Sequence, residues 1–460
     1  MPARFRLRLP HPLLLLLAGV VAAALCTWLL PAGAFTRRAD AASGRELVVP
    51  GTFTAMAATP VGAFQTIMAV PRGMAAGADV LITILFVGAA FAMLERTGAL
   101  GRLVEVVVQR SRRPHLVLVG VTLAFATFGA LENMQEEIVA LIPTLLVLSR
   151  GLGFGPLTAL SVSVGGAAVG SAFGPTNPFQ TGIALRFAEL PPFSQPMLRT
   201  VVFVLAVAVW CGWVVYGAAR EAREVAQAAT SSSSTSPSAS ATATVVGAGA
   251  RVERRDVLLL LLAVAPFAPY VYGVLQWDWG FHELSALFLT AGFAIGLTAG
   301  LSLADCTEEL IAGMKAMLPA TIYVGTARAI GLVLADGNVL DTIIHGLSLP
   351  LQVAPPVVAP LLMIPVQALM HVVVPSVSGQ ATLTMPIMAP LAELVGAGRD
   401  AAVLAFQTGA GLADAVVPTN GAVLAMLAAA GVSVARWWRF AGPGLLLVAL
   451  VGAAAVWAAA

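Results

Sequence analysis

Apolar runs long enough to cross a bilayer recur along this chain from Leu13 to Trp457. A segment in lipid must satisfy its own backbone N–H and C=O groups, so only helices and closed barrels span. About 20 apolar residues match the ~30 Å hydrocarbon core as a helix. With 59% hydrophobic and 10% charged residues, against roughly 25% charged in soluble domains, the chain cannot hide this surface in a soluble fold. The segments expected to span are 13–32, 76–95, 157–173 continuing to 188, 197–218, 257–275, 283–301, 317–335, 400–416 continuing to 431, and 441–459. Arg4, Arg6 and Arg8 ahead of the first run also suit a secretory leader, but the length of the run and the apolar chain that follows favour a span.

Little else in the composition selects a function. A net charge of +2 without a basic, aromatic-rich cluster gives no reason to expect nucleic acid. Cys26, Cys211 and Cys306 lack metal-ligand spacing, and no cofactor is implied.

The stretch 115–148 is apolar except for Glu132-Asn133-Met134-Gln135-Glu136-Glu137 in its middle. Each arm counts about 15 residues, roughly 22 Å of helix and short of a crossing. Arg110, Arg112 and Arg113 precede it and Arg150 follows, so both ends read as cytoplasmic. A re-entrant hairpin is expected, the alternative being two short spans with an external loop. Counting spans from a cytoplasmic N-terminus puts 220–256 in the cytoplasm. This segment holds the Ser-rich run from Thr230 to Pro237 and Arg251, Arg254 and Arg255. It reads as a linker between a first half, 1–219, and a second half, 257–460.

An internal repeat organises the two halves. Pro143 precedes Pro175-Thr176-Asn177 by the same interval as Pro386 precedes Pro418-Thr419-Asn420, and Gly153 and Gly166 fall on Gly396 and Gly409, all 243 positions apart. The offset lays the tip 132–137 on Pro375–Gln380, so a second hairpin is expected over about 352–396. Three spans separate it from the linker, so it opens from the opposite side. The expected fold is therefore an all-α integral membrane protein of two inverted-topology repeats. Each repeat has a re-entrant helical hairpin and a discontinuous transmembrane helix, a construction common among secondary transporters.

The two Pro-Thr-Asn breaks free backbone groups that persist at membrane depth only where protein or a wet cavity satisfies them. Thr176, Asn177, Thr419 and Asn420 are accordingly candidate substrate-binding residues, a simple proline kink being the alternative. Ser376, Ser378 and Gln380 at the second tip join them as neutral donors and acceptors, or else as interhelical polar contacts. Glu136 and Glu137 are substrate-binding candidates because ionisable residues at membrane depth are costly. Two adjacent carboxylates cannot both ionise cheaply there, which suits proton coupling or a cationic partner. Glu132 and Asp414 are ion-coupling candidates, although either would look the same facing water. Arg328 is a candidate charge partner for a substrate carboxylate or the tip glutamates, or half of a structural ion pair. His371 reads as a packed, hydrogen-bonded histidine, and Asp341 and His345 as part of an interfacial helix.

The runs Pro375-Ser376-Val377-Ser378-Gly379-Gln380-Ala381, Thr384-Met385-Pro386-Ile387-Met388-Ala389-Pro390-Leu391, Ala402–Gln407 and Pro418-Thr419 resemble the YfcC branch of the DcuC-like C4-dicarboxylate carrier family, within the ion transporter superfamily. Glu136-Glu137, Asn177-Pro178-Phe179, Thr181–Ala184, Gly325–Arg328 and Asp341-Thr342-Ile343 carry the same resemblance. It implies a scaffold domain and a mobile transport domain that works by elevator movement, often in a homodimer, on basic amino acids or C4-dicarboxylates. The chain departs from the family pattern at Gly409-Ala410-Gly411 and at Asp414, where asparagine is usual.

The expectation is a secondary active transporter in a bacterial-type inner membrane. It would be driven by H+ or Na+ or by exchange, and would carry a small charged organic solute, an amino acid or a carboxylate. The alternatives are a C4-dicarboxylate carrier, a channel or an intramembrane enzyme. His-Glu-x-x-His, Gly-x-Gly-Asp, nucleophile-elbow and Walker A motifs are all missing from the sequence.

Overall fold

The computed structural model describes residues 11–39, 46–192, 194–232, 251–277 and 279–460. Arg4, Arg6, Arg8, Arg45 and residues 233–237 of the Ser-rich run lie outside the described residues. Among those described, nine helices are long and apolar enough to cross a membrane, and the chain is a multi-pass membrane protein.

Helix α1 (Pro12–Leu29) leads into two small antiparallel ribbons, β1 (Gly33–Ala34) on β4 (Thr54–Ala55) and β2 (Arg37–Ala39) on β3 (Glu46–Val48), with Arg37 opposite Val48. Next come α2 (Ala63–Ala76), α3 (Ala78–Arg96), α4 (Ala99–Arg110), α5 (Pro114–Glu132) and α6 (Ile138–Gly151). Helix α7 (Pro156–Leu160) passes through a π-helical turn into α8 (Gly166–Phe173). After a break the chain resumes at Pro178 as a second π turn and then α9 (Ile183–Phe187). Helix α10 (Pro196–Ser232) continues well beyond 219, so helix occupies the start of the expected linker.

On the far side lie α11 (Arg254–Val264), α12 (Phe267–Trp277), α13 (Phe281–Thr298), α14 (Leu303–Asp336), α15 (Leu340–Gln352), α16 (Ala359–Val373) and α17 (Val377–Leu394). Helix α18 (Arg399–Phe406) enters a π turn at Gln407–Gly411. The chain breaks again before α19 (Gly421–Ala429), and α20 (Val434–Ala459) ends the fold.

Two expectations are corrected. The first arm of the 115–148 hairpin is not about 15 residues: α5 has 19, about 28 Å. Pro114, fixed near helical φ, starts it directly after Arg113, and Glu132 is taken into its last turn. The second arm, α6, has 14 residues. The span expected at 317–335 is the second part of the 34-residue α14, about 51 Å long. Ser302 caps its start, accepting from Asp305 N at 3.1 Å, and Pro319 is accommodated within it. Helix α14 packs against α1, α2, α3 and α19 and so forms a central strut.

Local backbone geometry recurs at the 243-residue offset. Helix α6 ends with Gly153 N bonded to Arg150 O and Phe154 N to Ser149 O, and α17 ends with Gly396 N on Glu393 O and Ala397 N on Ala392 O. Gly153 and Gly396 sit at φ +88 and +82, the left-handed region that closes such helix ends. Beyond them Pro156 and Arg399 begin α7 and α18 in register. At the breaks, Asn177 N bonds Gly174 O and Asn420 N bonds Val417 O, both at 3.2 Å.

Buried ionic groups pin the ends of these segments. Glu221 on α10, 1% exposed, accepts from Gly155 N, Leu157 N, Thr158 N and Thr158 Oγ1 at 2.7–3.1 Å, which caps α7 with a full charge. Arg199 on the same helix donates to Asp400 Oδ1 at 2.9 Å near the start of α18 and to Gln407 Oε1 at 2.5 Å. Gln407 in turn donates to Ala172 O and Thr181 Oγ1 at 2.9 and 2.7 Å, joining the two interrupted helices. Asp341 on α15 receives Phe35 N and Arg37 Nη2 from the ribbons, while His345 stacks on Phe53.

A Cβ at Gly153 would meet no atom within 4 Å, and one at Gly396 would meet only Pro356 Cβ at 3.9 Å. Gly153→Ala and Gly396→Ala therefore isolate left-handed strain. Each should lower stability by about 1–2 kcal/mol, read as a lower unfolding temperature of the detergent-solubilised protein. Gly212→Ala, at a helical position with similarly open space, should not lower it.

Candidate substrate cavity

Asn177 and Asn420 shape the two helix restarts in the same way. The Asn177 side-chain oxygen accepts from Phe179 N and Gln180 N at 2.9 and 2.7 Å. That of Asn420 accepts from Ala422 N and Val423 N at 2.9 and 3.1 Å. Asparagine is among the best residues at this position because its oxygen replaces the carbonyl that a continuous helix would supply. Each amide nitrogen also ties back: Asn177 Nδ2 to Gly129 O at 2.8 Å, and Asn420 Nδ2 to Asp414 Oδ1 at 2.7 Å.

Between these restarts lies a cavity of about 770 Å³. The end of α5 and the loop to α6 bring Glu132, Asn133, Gln135, Glu136 and Glu137, and the loop from α16 with the first turn of α17 brings Pro375, Ser376 and Ser378. The restarted helices contribute Phe179, Arg186, Asn420 and Gly421; α14 contributes Arg328; Asp414 stands beside the second break. Tyr270, Trp279 and Phe281 form an aromatic wall.

Of the sequence candidates, Glu132, Glu136, Glu137, Ser376, Ser378, Asp414, Asn420 and Arg328 line this space. Thr176, Asn177, Gln380 and Thr419 do not. Thr176 is exposed; Asn177 is a buried cap; Thr419 Oγ1 donates to Val372 O at 2.9 Å. Gln380 is fully buried, bonded to His371 and Gln367. His371, expected to be packed and hydrogen-bonded, is fully buried with both ring nitrogens engaged. Arg186 and the aromatic wall were not anticipated. Arg186 was open to the same argument as Arg328, an ionisable residue inside an apolar segment, whereas the wall is assembled from helices distant in sequence.

The chemistry of the lining is unevenly distributed. Glu132 is 7% exposed, and neither carboxylate oxygen has a hydrogen-bond partner among the described residues. Glu137 accepts from Gln135 N at 3.1 Å. Asn133, at φ +60, turns the first tip, and its side-chain oxygen is also unpartnered. Arg328 donates to Ala76 O at 3.0 Å and remains exposed. The Ser376 hydroxyl caps α17, accepting from Gly379 N at 3.3 Å. The space can thus present carboxylates to a cationic group, and guanidinium, hydroxyl and a helix N-terminus to an anionic one.

Apolar spanning helices around a charged internal cavity are the architecture of a membrane transporter. The sequence matches the family described as C4-dicarboxylate anaerobic carrier, DcuC, over residues 9–460, and the chain belongs to that family. It is 26% identical over 488 residues to a protein of Escherichia coli (strain K12) named "Putative basic amino acid antiporter YfcC", covering 96% of this chain and 95% of the relative. It is 27% identical over 412 residues to an uncharacterized protein of Haemophilus influenzae, covering 89% of this chain and 80% of the relative. Among solved structures it is similar to the Alcanivorax borkumensis YdaH transporter (TM-score 0.46, 17% identity, 98% of both chains). It is similar also to Neisseria gonorrhoeae MtrF, whose structure is described as illuminating a class of antimetabolite efflux pumps (TM-score 0.46, 13% identity, 98% of this chain and 95% of that one).

Cysteines placed at Gln135 and Ser378 in a cysteine-free background should react with a membrane-impermeant thiol reagent. A cysteine at Ala389, which is 0% exposed, should not. Protection of both lining positions in detergent would refute an accessible cavity.

Proposed function

We propose that this transporter is a secondary active carrier whose cavity takes an amino acid, a basic one fitting best, and moves it by exchange or ion coupling. The observation that carries the reading is the buried Glu132 carboxylate, unpartnered beside Glu136 and Glu137 in the cavity wall, a group that takes the solute's cationic end or the coupling ion in turn. Leaving a charge buried without a partner is strongly unfavourable, and an ammonium or guanidinium group of a solute supplies one. Arg328, Ser376 and the start of α19 suit the solute's carboxylate. The name of the Escherichia coli relative agrees with this chemistry. A C4-dicarboxylate is the second reading, favoured by the family description and by two arginines, Arg186 and Arg328, in the same lining.

The proposed mechanism is alternating access by two inverted-topology repeats. The in-register helix ends at Gly153 and Gly396 and the paired asparagine caps support a duplication. The basic ends of the first hairpin and the 14-residue α6 support re-entry from the cytoplasmic side. In this reading the chain comprises halves 1–219 and 257–460, with the N-terminus and the 220–256 linker in the cytoplasm. It sits in the inner membrane, works as a homodimer, and moves its hairpins and broken helices as an elevator. Glu136, Glu137, Thr176, Asn177, Ser376, Ser378, Gln380, Thr419 and Asn420 form or support the substrate site. Glu132 and Asp414 serve ion coupling, with H+ or Na+ as the ion.

Purified protein in proteoliposomes should exchange radiolabelled arginine for ornithine and leave succinate outside. Glu136→Gln combined with Glu137→Gln should reduce arginine flux at least about tenfold, the equivalent of ~1.4 kcal/mol. Unchanged arginine flux in that variant, or succinate flux in place of arginine flux, would overturn the reading.

A further inference from the structure

Behind the cavity wall a hydrogen-bond chain runs through His371, and its donors and acceptors can be assigned. The backbone carbonyl of Gln367 only accepts, and Gln380 reaches it at 2.8 Å, so the Gln380 nitrogen faces Gln367. The same nitrogen donates to Gln367 Oε1 at 2.7 Å. Gln380 Oε1 therefore faces His371 Nδ1 at 2.8 Å, and Nδ1 must be the donor. On the other side of the ring, Nε2 lies 2.7 Å from Asp414 Oδ1. A neutral imidazole that donates from Nδ1 has only a lone pair at Nε2, and a lone pair facing a carboxylate oxygen at that distance is repulsive. A further proton has to sit in this contact. Asn420 Nδ2 donates to the same Asp414 oxygen at 2.7 Å, which favours carboxylate on Asp414 and imidazolium on His371.

We propose that His371 and Asp414 form the proton-binding site of the carrier, and that the proton held there is the ion exchanged for a cationic solute in the cavity. This rests on reading the cavity as a site for such a solute. With its proton the pair is neutral overall; without it, one negative charge stands at the cavity wall, where Asp414 is a lining residue. His371 is fully buried and the Asp414 side chain is 9% exposed, so the proton reaches water past Asp414. On release, the Nε2–H bond breaks and the proton passes to water in the cavity. The imidazole keeps its Nδ1–H on Gln380, and Asp414 remains a carboxylate. Its Oδ2 carries no hydrogen bond among the described residues and is then open to an ammonium or guanidinium group. Proton and cationic solute thus compete for one charge.

The other charged groups around the pair are few. Glu136 on the first tip interacts electrostatically with both Asp414 and Arg328, and Arg186 lines the same cavity. The ionisable groups on elements packed against α16 are engaged elsewhere: Asp341 with Arg37, His345 on Phe53, Glu393 with Arg399, Asp400 with Arg199, Arg436 near Glu221, and Arg439 on Ala435 O.

Histidine-selective 15N labelling of the full chain tests the pair directly. There are five histidines, and His371→Gln assigns the signal. In a titration without solute, His371 should show both nitrogens protonated. In Asp414→Asn the Nε2 proton should be missing where the wild type keeps it, because the carboxylate oxygen that accepts it is gone. Added arginine should displace the same proton from the wild type. A wild-type Nε2 that never carries a proton, or a titration indifferent to Asp414→Asn, would overturn the proton site. In proteoliposomes one pH unit more acidic inside, one-for-one exchange sustains an arginine gradient of about tenfold, and His371→Gln should abolish it. Arginine accumulation that ignores the pH gradient would overturn the exchange. Absence of any arginine flux would defeat the solute reading and the exchange together, while the titration without solute still judges the pair.

Discussion

A helix that restarts inside an apolar bundle begins with N–H groups that neither lipid nor apolar side chains can satisfy, and two asparagines answer that need here. Asn177 and Asn420 each accept from the two amides that follow the break and hold a carbonyl or carboxylate with the remaining nitrogen. Everything at the cavity follows from those caps. They fix where the second segments start, and so where Phe179, Gly421 and Ala422 face the space between the tips. The cost of an unsatisfied amide in this setting, several kcal/mol, explains why the two breaks are among the most tightly bonded points of the chain.

The same logic sorts the ionic groups into two kinds. Glu221 and Arg199 are buried and fully engaged, one capping α7 and the other clamping Asp400 and Gln407. They hold the interrupted helices against α10 and against each other. Glu132, Glu136 and Arg328 line the cavity without forming ion pairs among the described residues. Charges that are saturated by protein serve architecture; charges left open beside a cavity are available to a ligand. His371 and Asp414 stand between the two kinds, bonded to each other through a proton and in contact with the cavity through Asp414 alone.

Much of this was legible in the linear sequence because its physics is local. A 20-residue apolar run is a span wherever it lies, and the 243-residue register reappears as matched backbone bonds at Gly153 and Gly396. The polar tips were also legible, since three glutamates within apolar surroundings have few inexpensive positions. Element lengths were less so: α5 gains a turn from Pro114 and Glu132, and α14 runs far beyond its apolar part, because helix ends are set by caps rather than by hydropathy. Gln380 and Thr419 read as tip and break residues of one kind with Ser376, yet their side chains turn away from the cavity.

The sequence by itself determined that the chain lives in a membrane, roughly where its apolar spans fall, and that two breaks and two polar tips lie within apolar stretches. Each of these depends on neighbouring residues and on the cost of polar groups in lipid. Only the tertiary structure decided which polar groups share a space. The pairing of His371 with Asp414 across 43 positions, the Gln407 bridge to Ala172 and Thr181, and the Tyr270–Trp279–Phe281 wall are set by helix packing. Side-chain direction around a packed helix is not written in hydropathy, and that direction separates a group facing the solute from one bracing the wall behind it.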